Sequence, residues 1–129
     1  MKLDMKGQTL FELERSVDEL KLEELATALA TDTAAETAAL VPFFGPTIPG
    51  ELRFVELLDV DLSRALLGGL SYRWNRPFRP GEKVSAKVFV EDVYEKSTNQ
   101  FAIVTAEFRD ADGEVIQVHK ATFIERGAA

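Results

Sequence analysis

The sequence contains no cysteine and only one histidine, His119, among its 129 residues. The absence of cysteine excludes disulfides, a thiolate nucleophile, and the zinc or iron–sulfur sites that depend on cysteine ligands. It agrees with a cytoplasmic setting, which we take as the expectation. A lone histidine does not make a metal site, and no glycine-rich nucleotide motif is present, so we expect neither a metal nor another cofactor.

Long apolar runs and excess positive charge are also missing. No window approaches the roughly 18 uninterrupted apolar residues of a membrane-spanning helix, so we expect no membrane partner. The formal net charge of −7 leaves no surplus of cations to neutralise phosphates, which argues against a nucleic-acid partner. The hydrophobic content of 46% is enough for one core, and we predict a single domain over residues 1–129.

Two helices are predicted in the first half of the chain, after a strand indicated by the alternating segment TLFELERSV. A capping-box pair, Ser16 and Glu19, precedes leucines and alanines at helical spacing and predicts a helix from about Val17 to Ala30. The proline-rich residues 31–50 are interpreted as a loop. The wide apolar face that follows, up to the glycine pair at 68–69, is interpreted as a buried helix.

From Leu70 onward, apolar residues recur with a period of two, which predicts four successive strands arranged as a meander. Tyr72 and Trp74 share one face of the first strand. The predicted buried face of the last strand consists of Ile116, Val118 and Ile124. Helices followed by an antiparallel meander indicate the α+β class, with the helices on one face of the sheet.

Four quoted segments carry a resemblance to a known family. RPFRPGEKVSAKVFVEDVYEK at 76–96 is the most specific, and GPTIPG, LLGGLSYRWNRP and DADGEV accompany it. Together they resemble MaoC-like dehydratases, specifically the FAS1-like dehydratase N-terminal hotdog domain. The resemblance implies a single hotdog fold, in which a curved antiparallel sheet wraps a central helix. It also implies an acyl thioester of coenzyme A or acyl carrier protein as ligand, and domains that act in pairs.

The resemblance also identifies a departure. Active hydratase-type relatives carry a Gly-Asp-x-Asn-Pro-x-His segment whose Asp and His handle the α-proton and the water. Asp32 matches that Asp and is the candidate catalytic residue, whereas Thr37 occupies the position of the His. A threonine hydroxyl does not titrate near neutral pH, and loss of such a group typically lowers a rate ~10²–10⁴-fold.

Each of these residues has a structural alternative. Asp32 is also a common residue type in loops that end helices. Glu36 could replace the missing base only if burial raised its pKa. His119 could replace the missing histidine from the last strand, or it could be a solvated or sheet-packed residue without a catalytic role.

Candidate binding residues surround the Arg-Pro motif. Arg76, Arg79 and Lys83 belong to the densest cationic run and could contact coenzyme A phosphates or an acidic carrier protein, or could form a solvated face. Tyr72 and Trp74 could line an acyl pocket, or could belong to the core or to a dimer interface.

The resulting hypothesis is a protein of acyl-thioester metabolism. It is the non-catalytic, substrate-binding half of a (3R)-hydroxyacyl dehydratase or enoyl hydratase, paired with a catalytic hotdog subunit. One alternative is a non-enzymatic homodimer that binds acyl-CoA. A second is an acyl-CoA thioesterase. Whether the chain is an enzyme by itself is left open by Thr37.

Overall fold

The computed structural model describes residues 1–17, 23–24, 27–28, 30 and 51–127. The elements described in full are a helix, a short 3-10 turn and five strands: α1 (Glu51–Leu58), η1 (Leu62–Arg64), β1 (Thr9–Ser16), β2 (Ala65–Trp74), β3 (Lys83–Lys96), β4 (Asn99–Arg109) and β5 (Val115–Glu125). The strands form one antiparallel sheet in the order β1-β3-β4-β5-β2. Residues 23–24 and 27–28 are helical, as predicted; the rest of the predicted helix after Val17 lies mostly outside the described residues.

The second predicted helix ends much earlier than its apolar face indicated. Asp59 adopts a left-handed conformation with φ of 54°. Its N–H donates to the carbonyl of Glu56 at 3.2 Å, and the N–H of Val60 donates to that of Val55 at 3.0 Å, which is the Schellman arrangement that closes a helix. The predicted continuation to residue 69 was therefore wrong. The leucines on either side of the glycine pair at 68–69 fit a helical period as well as a strand period. Tertiary packing makes this run a strand.

The link between α1 and β2 is tied to the end of β5. Glu125 is buried, and its carboxylate accepts hydrogen bonds from the N–H of Asp61 at 2.9 Å and from Nη2 of Arg64 at 3.4 Å. The Asp61 carboxylate in turn caps the 3-10 turn by accepting from the N–H of Ser63 at 3.0 Å. These bonds place the start of β2 beside the end of β5.

Strands β3, β4 and β5 form the predicted meander, but β2 does not lie next to β3. Instead, β2 pairs with β5, and β1 pairs with β3, so that β1 and β2 are the two edges. The chain crosses between these sides of the sheet along residues 75–82. Pro77 and Pro80 lie in this crossing, as their inability to donate a ladder hydrogen bond predicted. Gly81, with φ of 78°, turns the chain into β3.

The buried face of β5 differs from the prediction. Register pairs His119 with Ala106 and Gln117 with Phe108, so these two polar residues share a face with the apolar core. Val118, on the other face, is only half-buried. Ile116 is buried because a bulge leaves it without a partner in the ladder between β4 and β5. Of the three predicted residues, Ile116 is buried, whereas Val118 and Ile124 are only half-buried, because periodicity wrongly assigned the polar residues of this strand to the outside.

The core consists of two neighbouring clusters on this face. In one, Phe78 of the crossing packs edge-on against Phe108, with ring centroids 5.4 Å apart. In the other, Leu58 at the end of α1 is fully buried against apolar residues of β1, β3 and β4. The crossing and the helix are thus both held to the sheet by apolar burial.

Leu58→Ala should lower the free energy of unfolding by about 2–5 kcal/mol, because a cavity replaces a fully buried side chain. The matched control is Leu57→Ala, since Leu57 is 36% exposed and should change stability by less than about 1 kcal/mol. Urea unfolding monitored by circular dichroism measures both. Equal losses in the two variants would show that α1 does not pack as described.

Candidate functional site

A hydrogen-bonded relay links the middle of β5 to the crossing. The side-chain nitrogen of Gln117 donates to the backbone carbonyl of Arg76 at 3.2 Å. Because that carbonyl can only accept, the amide oxygen of Gln117 must face His119, whose Nε2 lies 2.7 Å away. Nε2 of His119 therefore carries the proton and donates it to this bond, and Nδ1 keeps an available lone pair.

The imidazole ring of His119 is surrounded by aromatic rings. Tyr72 of β2 meets it edge-on at a centroid distance of 4.7 Å, Phe108 lies at 4.8 Å and Phe78 at 6.5 Å. Nδ1 is buried and has no hydrogen-bond partner among the residues that the structure describes. Burial lowers the pKa of His119 to about 4. At neutral pH the ring is therefore uncharged and can act as a hydrogen-bond acceptor.

The crossing is held by a carboxylate, Glu82, on the turn before β3. Its two oxygens accept parallel bonds from Nη1 and Nη2 of Arg76 at 2.9 and 2.8 Å, and Oε1 also accepts from the N–H of Arg79 at 2.6 Å. Burial alone would raise the pKa of Glu82, but the bonds from Arg76 and Arg79 hold it below its ordinary value. The guanidinium of Arg76 also lies 3.7 Å from Asp110. The Arg76 side chain therefore stabilises the turn before β3 in this structure.

The sequence-adjacent cationic run is divided by the topology. Arg79 is exposed in the crossing, and Nζ of Lys83 lies 3.1 Å from Glu14 in an ion pair open to solvent. Arg73 lies on β2, and β4 and β5 separate that strand from β3. Three strand spacings correspond to roughly 14 Å along the sheet. Arg79 and Lys83 are therefore neighbours near one turn, whereas Arg73 belongs to the opposite edge.

The two aromatic candidates do share a face, as predicted. Tyr72 is the ladder partner of His119, and Trp74 is that of Gln117. Tyr72 is half-buried against the His119 ring, while Trp74 is 39% exposed. The structure thus brings Tyr72 together with the buried polar pair.

The catalytic candidates cannot be placed, because Asp32, Glu36 and Thr37 lie outside the described residues. Sequence reasoning missed Gln117, the residue that orients His119. Its signal was the spacing of two polar residues in one strand, which puts both on one face.

The described part of the chain contains neither a metal-binding cluster nor a membrane-spanning helix. No group of three or more histidine, aspartate or glutamate side chains is close enough there to hold a metal ion. No helix among those residues is both long and apolar enough to cross a bilayer.

The two edges of the sheet differ in chemistry. Edge strand β2 has ten residues and one charge, Arg73, and its side chains Leu67 and Leu70 are 55% and 54% exposed. Register places both leucines on the same face as the core, opposite Phe123 and Ala121 of β5. Edge strand β1 carries three charges in eight residues. An edge strand with a single charge is more open to pairing with a further strand than β1, whose three charges oppose such pairing.

Comparison with known proteins identifies the family. Residues 24–118 match the FAS1-like dehydratase domain region. The chain belongs to this family, and the predicted relationship to MaoC-like hotdog dehydratases is confirmed. Over 72 residues it is 32% identical to a UPF0336 protein of Saccharopolyspora erythraea, covering 56% of this chain. The match spans 46% of that relative, which is less than half of its length.

Solved structures confirm the α+β hotdog fold. The HadBC complex of Mycobacterium tuberculosis, a (3R)-hydroxyacyl-ACP dehydratase truncated at its C terminus, contains a chain that superposes with a TM-score of 0.72 at 19% identity, covering 96% of this chain and 99% of that one. The MaoC-like dehydratase of Rhodospirillum rubrum gives 0.65 at 16% identity, with 96% and 94% coverage. At these identities the likeness shows the fold.

The stability of this FAS1-like dehydratase domain should fall as the pH decreases from 7 to 5. The pKa of His119 is about 4 in the folded chain against an ordinary 6.5, so the unfolded chain binds the proton first. The free energy of unfolding should therefore fall by about 2 kcal/mol between pH 7 and pH 5. His119→Phe should remove most of this slope, because the chain has no other histidine. Urea titrations at several pH values measure it, and an unchanged slope in the variant would contradict the buried neutral ring.

Glu82→Gln should lower the free energy of unfolding by about 1–3 kcal/mol, because the charge-assisted bonds to Arg76 and Arg79 are weakened. The matched control is Glu14→Gln, which removes an ion pair whose side chains are 55% and 65% exposed and should change little. Chemical unfolding at pH 7 compares the two variants. A loss confined to Glu14→Gln would contradict the proposed role of Glu82.

Proposed function

We propose that this chain is the non-catalytic, substrate-binding half of a two-subunit enzyme of acyl-thioester metabolism. The complex dehydrates a (3R)-3-hydroxyacyl thioester or hydrates the corresponding enoyl thioester. The observation that carries the proposal is the open apolar edge at β2. It occurs in a chain that has Thr37 at the position where a catalytic histidine is expected.

The partner is a second hotdog subunit that pairs along β2. A strand of ten residues presents a row of backbone donors and acceptors roughly 33 Å long. The exposed Leu67, Leu70 and Trp74 lie on the core-facing side, so a partner strand would extend both the ladder and the apolar face. Two complexes of Mycobacterium tuberculosis, HadBC and ChsH1-ChsH2, contain chains of this fold, with TM-scores of 0.72 and 0.64, and support assembly with a second, different subunit.

Division of labour follows from the residues present. The partner supplies the Asp and His of the hydratase segment, because Thr37 cannot exchange a proton near neutral pH. In this chain Asp32 remains the candidate for a catalytic contact. Tyr72 and Trp74 line the pocket that holds the acyl chain. Arg79 and Lys83, with Arg76 holding the turn beside them, meet the phosphates of coenzyme A or the acidic surface of an acyl carrier protein.

The test compares the chain alone with the complex isolated from its native cells. Alone, it should hydrate an enoyl-CoA ~10²–10⁴-fold more slowly than the complex. Native mass spectrometry should show one copy of each subunit, with the Asp/His segment in the partner. An ordinary enzymatic rate from the chain alone would contradict the proposal.

A charge on the open edge should prevent pairing. Leu70→Lys should abolish the complex and its activity, whereas Thr9→Lys, an exposed change on the β1 edge, should leave both intact. Size-exclusion chromatography of the co-expressed subunits measures the first effect. A homodimer that binds acyl-CoA without turnover would support the non-enzymatic alternative, and release of free coenzyme A thiol would support the thioesterase alternative.

A further inference from the structure

We propose that Nδ1 of His119 accepts a hydrogen bond from the hydroxyl group of a bound 3-hydroxyacyl thioester, and so distinguishes that ligand from its dehydrated or saturated counterparts. The proposal rests on the proposed function for its substrate class. It assigns a role to a residue that the family's Asp–His segment does not include. The argument depends on the tautomer of His119, on its unpaired nitrogen and on the rings around it.

The tautomer is fixed by a chain of three groups. The carbonyl of Arg76 accepts from the Gln117 amide, and this orients the amide oxygen toward Nε2 of His119. Gln117 is 1% exposed and His119 is 6% exposed, so water does not compete readily for these bonds. Nδ1 is thereby held as an acceptor, because the ring has only one proton to give and Nε2 donates it.

Nδ1 of His119 is a buried acceptor without a hydrogen bond, and a donor would stabilise it. A buried polar atom without a hydrogen bond costs about 1–3 kcal/mol, and native proteins keep few of them. Nδ1 of His119 is one of two such buried atoms among the described residues, and the other is the hydroxyl of Thr105. Thr105 pairs in register with Lys120 and Phe89, on the opposite face of the sheet from His119. His119 alone of the two lies on the core-facing side.

The surroundings define the chemistry of the ligand. The rings of Tyr72, Phe78 and Phe108 lie around the imidazole at centroid distances of 4.7, 6.5 and 4.8 Å and make its surroundings apolar. A neutral acceptor does not attract an anion, so the group it selects is a neutral donor such as a hydroxyl. A 3-hydroxyacyl chain presents one hydroxyl within a hydrocarbon segment, which matches one acceptor in apolar surroundings. Enoyl and saturated chains would leave Nδ1 unpaired.

The first experiment observes Nδ1 directly. Because His119 is the only histidine, ¹⁵N-histidine labelling gives one signal for each ring nitrogen of this chain, studied alone or with an unlabelled partner subunit. Before ligand is added, Nε2 should be protonated and Nδ1 should be unprotonated and free of a hydrogen bond. Adding 3-hydroxybutyryl-CoA should move the Nδ1 signal upfield, and butyryl-CoA should not.

The second experiment measures selectivity. Calorimetric titration of the same protein should show 3-hydroxybutyryl-CoA binding about 10-fold more tightly than butyryl-CoA, which corresponds to one buried hydrogen bond. His119→Phe keeps an aromatic ring and should bring the two affinities together. The matched control Thr105→Val removes the other unpaired buried group and should retain the preference.

The outcomes separate the inference from the proposed function. If both thioesters bind equally to the unaltered protein, or if His119→Phe keeps the preference, the inference is wrong while the proposed function stands. A Nδ1 signal already typical of a hydrogen bond and unaffected by either ligand would assign the lone pair to a structural water and would also overturn it. If neither thioester binds even to the native complex, the proposed function fails and the inference fails with it.

Discussion

The crossing between β2 and β3 is the constraint on which the other features depend. Pro77 and Pro80 cannot donate hydrogen bonds to a strand ladder, so the chain leaves the sheet after Trp74 and re-enters at Lys83. This exit lets β3 pair with β1 while β2 pairs with β5 on the far side. The five-stranded order, and the open edge at β2, both follow from that separation.

The same crossing organises the candidate site. Its Phe78 enters the core against Phe108, and the carboxylate of Glu82 gathers the guanidinium of Arg76 and the N–H of Arg79 into a defined turn. This turn places the carbonyl of Arg76 where it accepts a hydrogen bond from the Gln117 side chain. The segment that makes the family recognisable is therefore also the segment that orients the buried histidine.

Much of the fold could be predicted from sequence because strands β3 to β5 alternate over long stretches and are separated by polar turns. The end of α1 could not be predicted from sequence, since the left-handed conformation of Asp59 depends on packing. The formation of a strand by the leucines that follow depends on packing as well. The cationic run does not form one cluster, because β2 and β3 are consecutive in sequence but are separated in the sheet by β4 and β5. The inward orientation of Gln117 and His119 required the register of β5, and a hydrophobic pattern carries no information on polar residues that face a core.

The proposed function divides the reaction between two chains that pair along the β2 edge. The most direct measurement is hydrogen–deuterium exchange of the two edge strands in the assembly isolated from native cells. The account predicts that the outward-facing amides of β2 exchange as slowly as those of the central strands, while outward-facing amides of β1 exchange quickly. Rapid exchange along β2, or protection of β1 in its place, would contradict it.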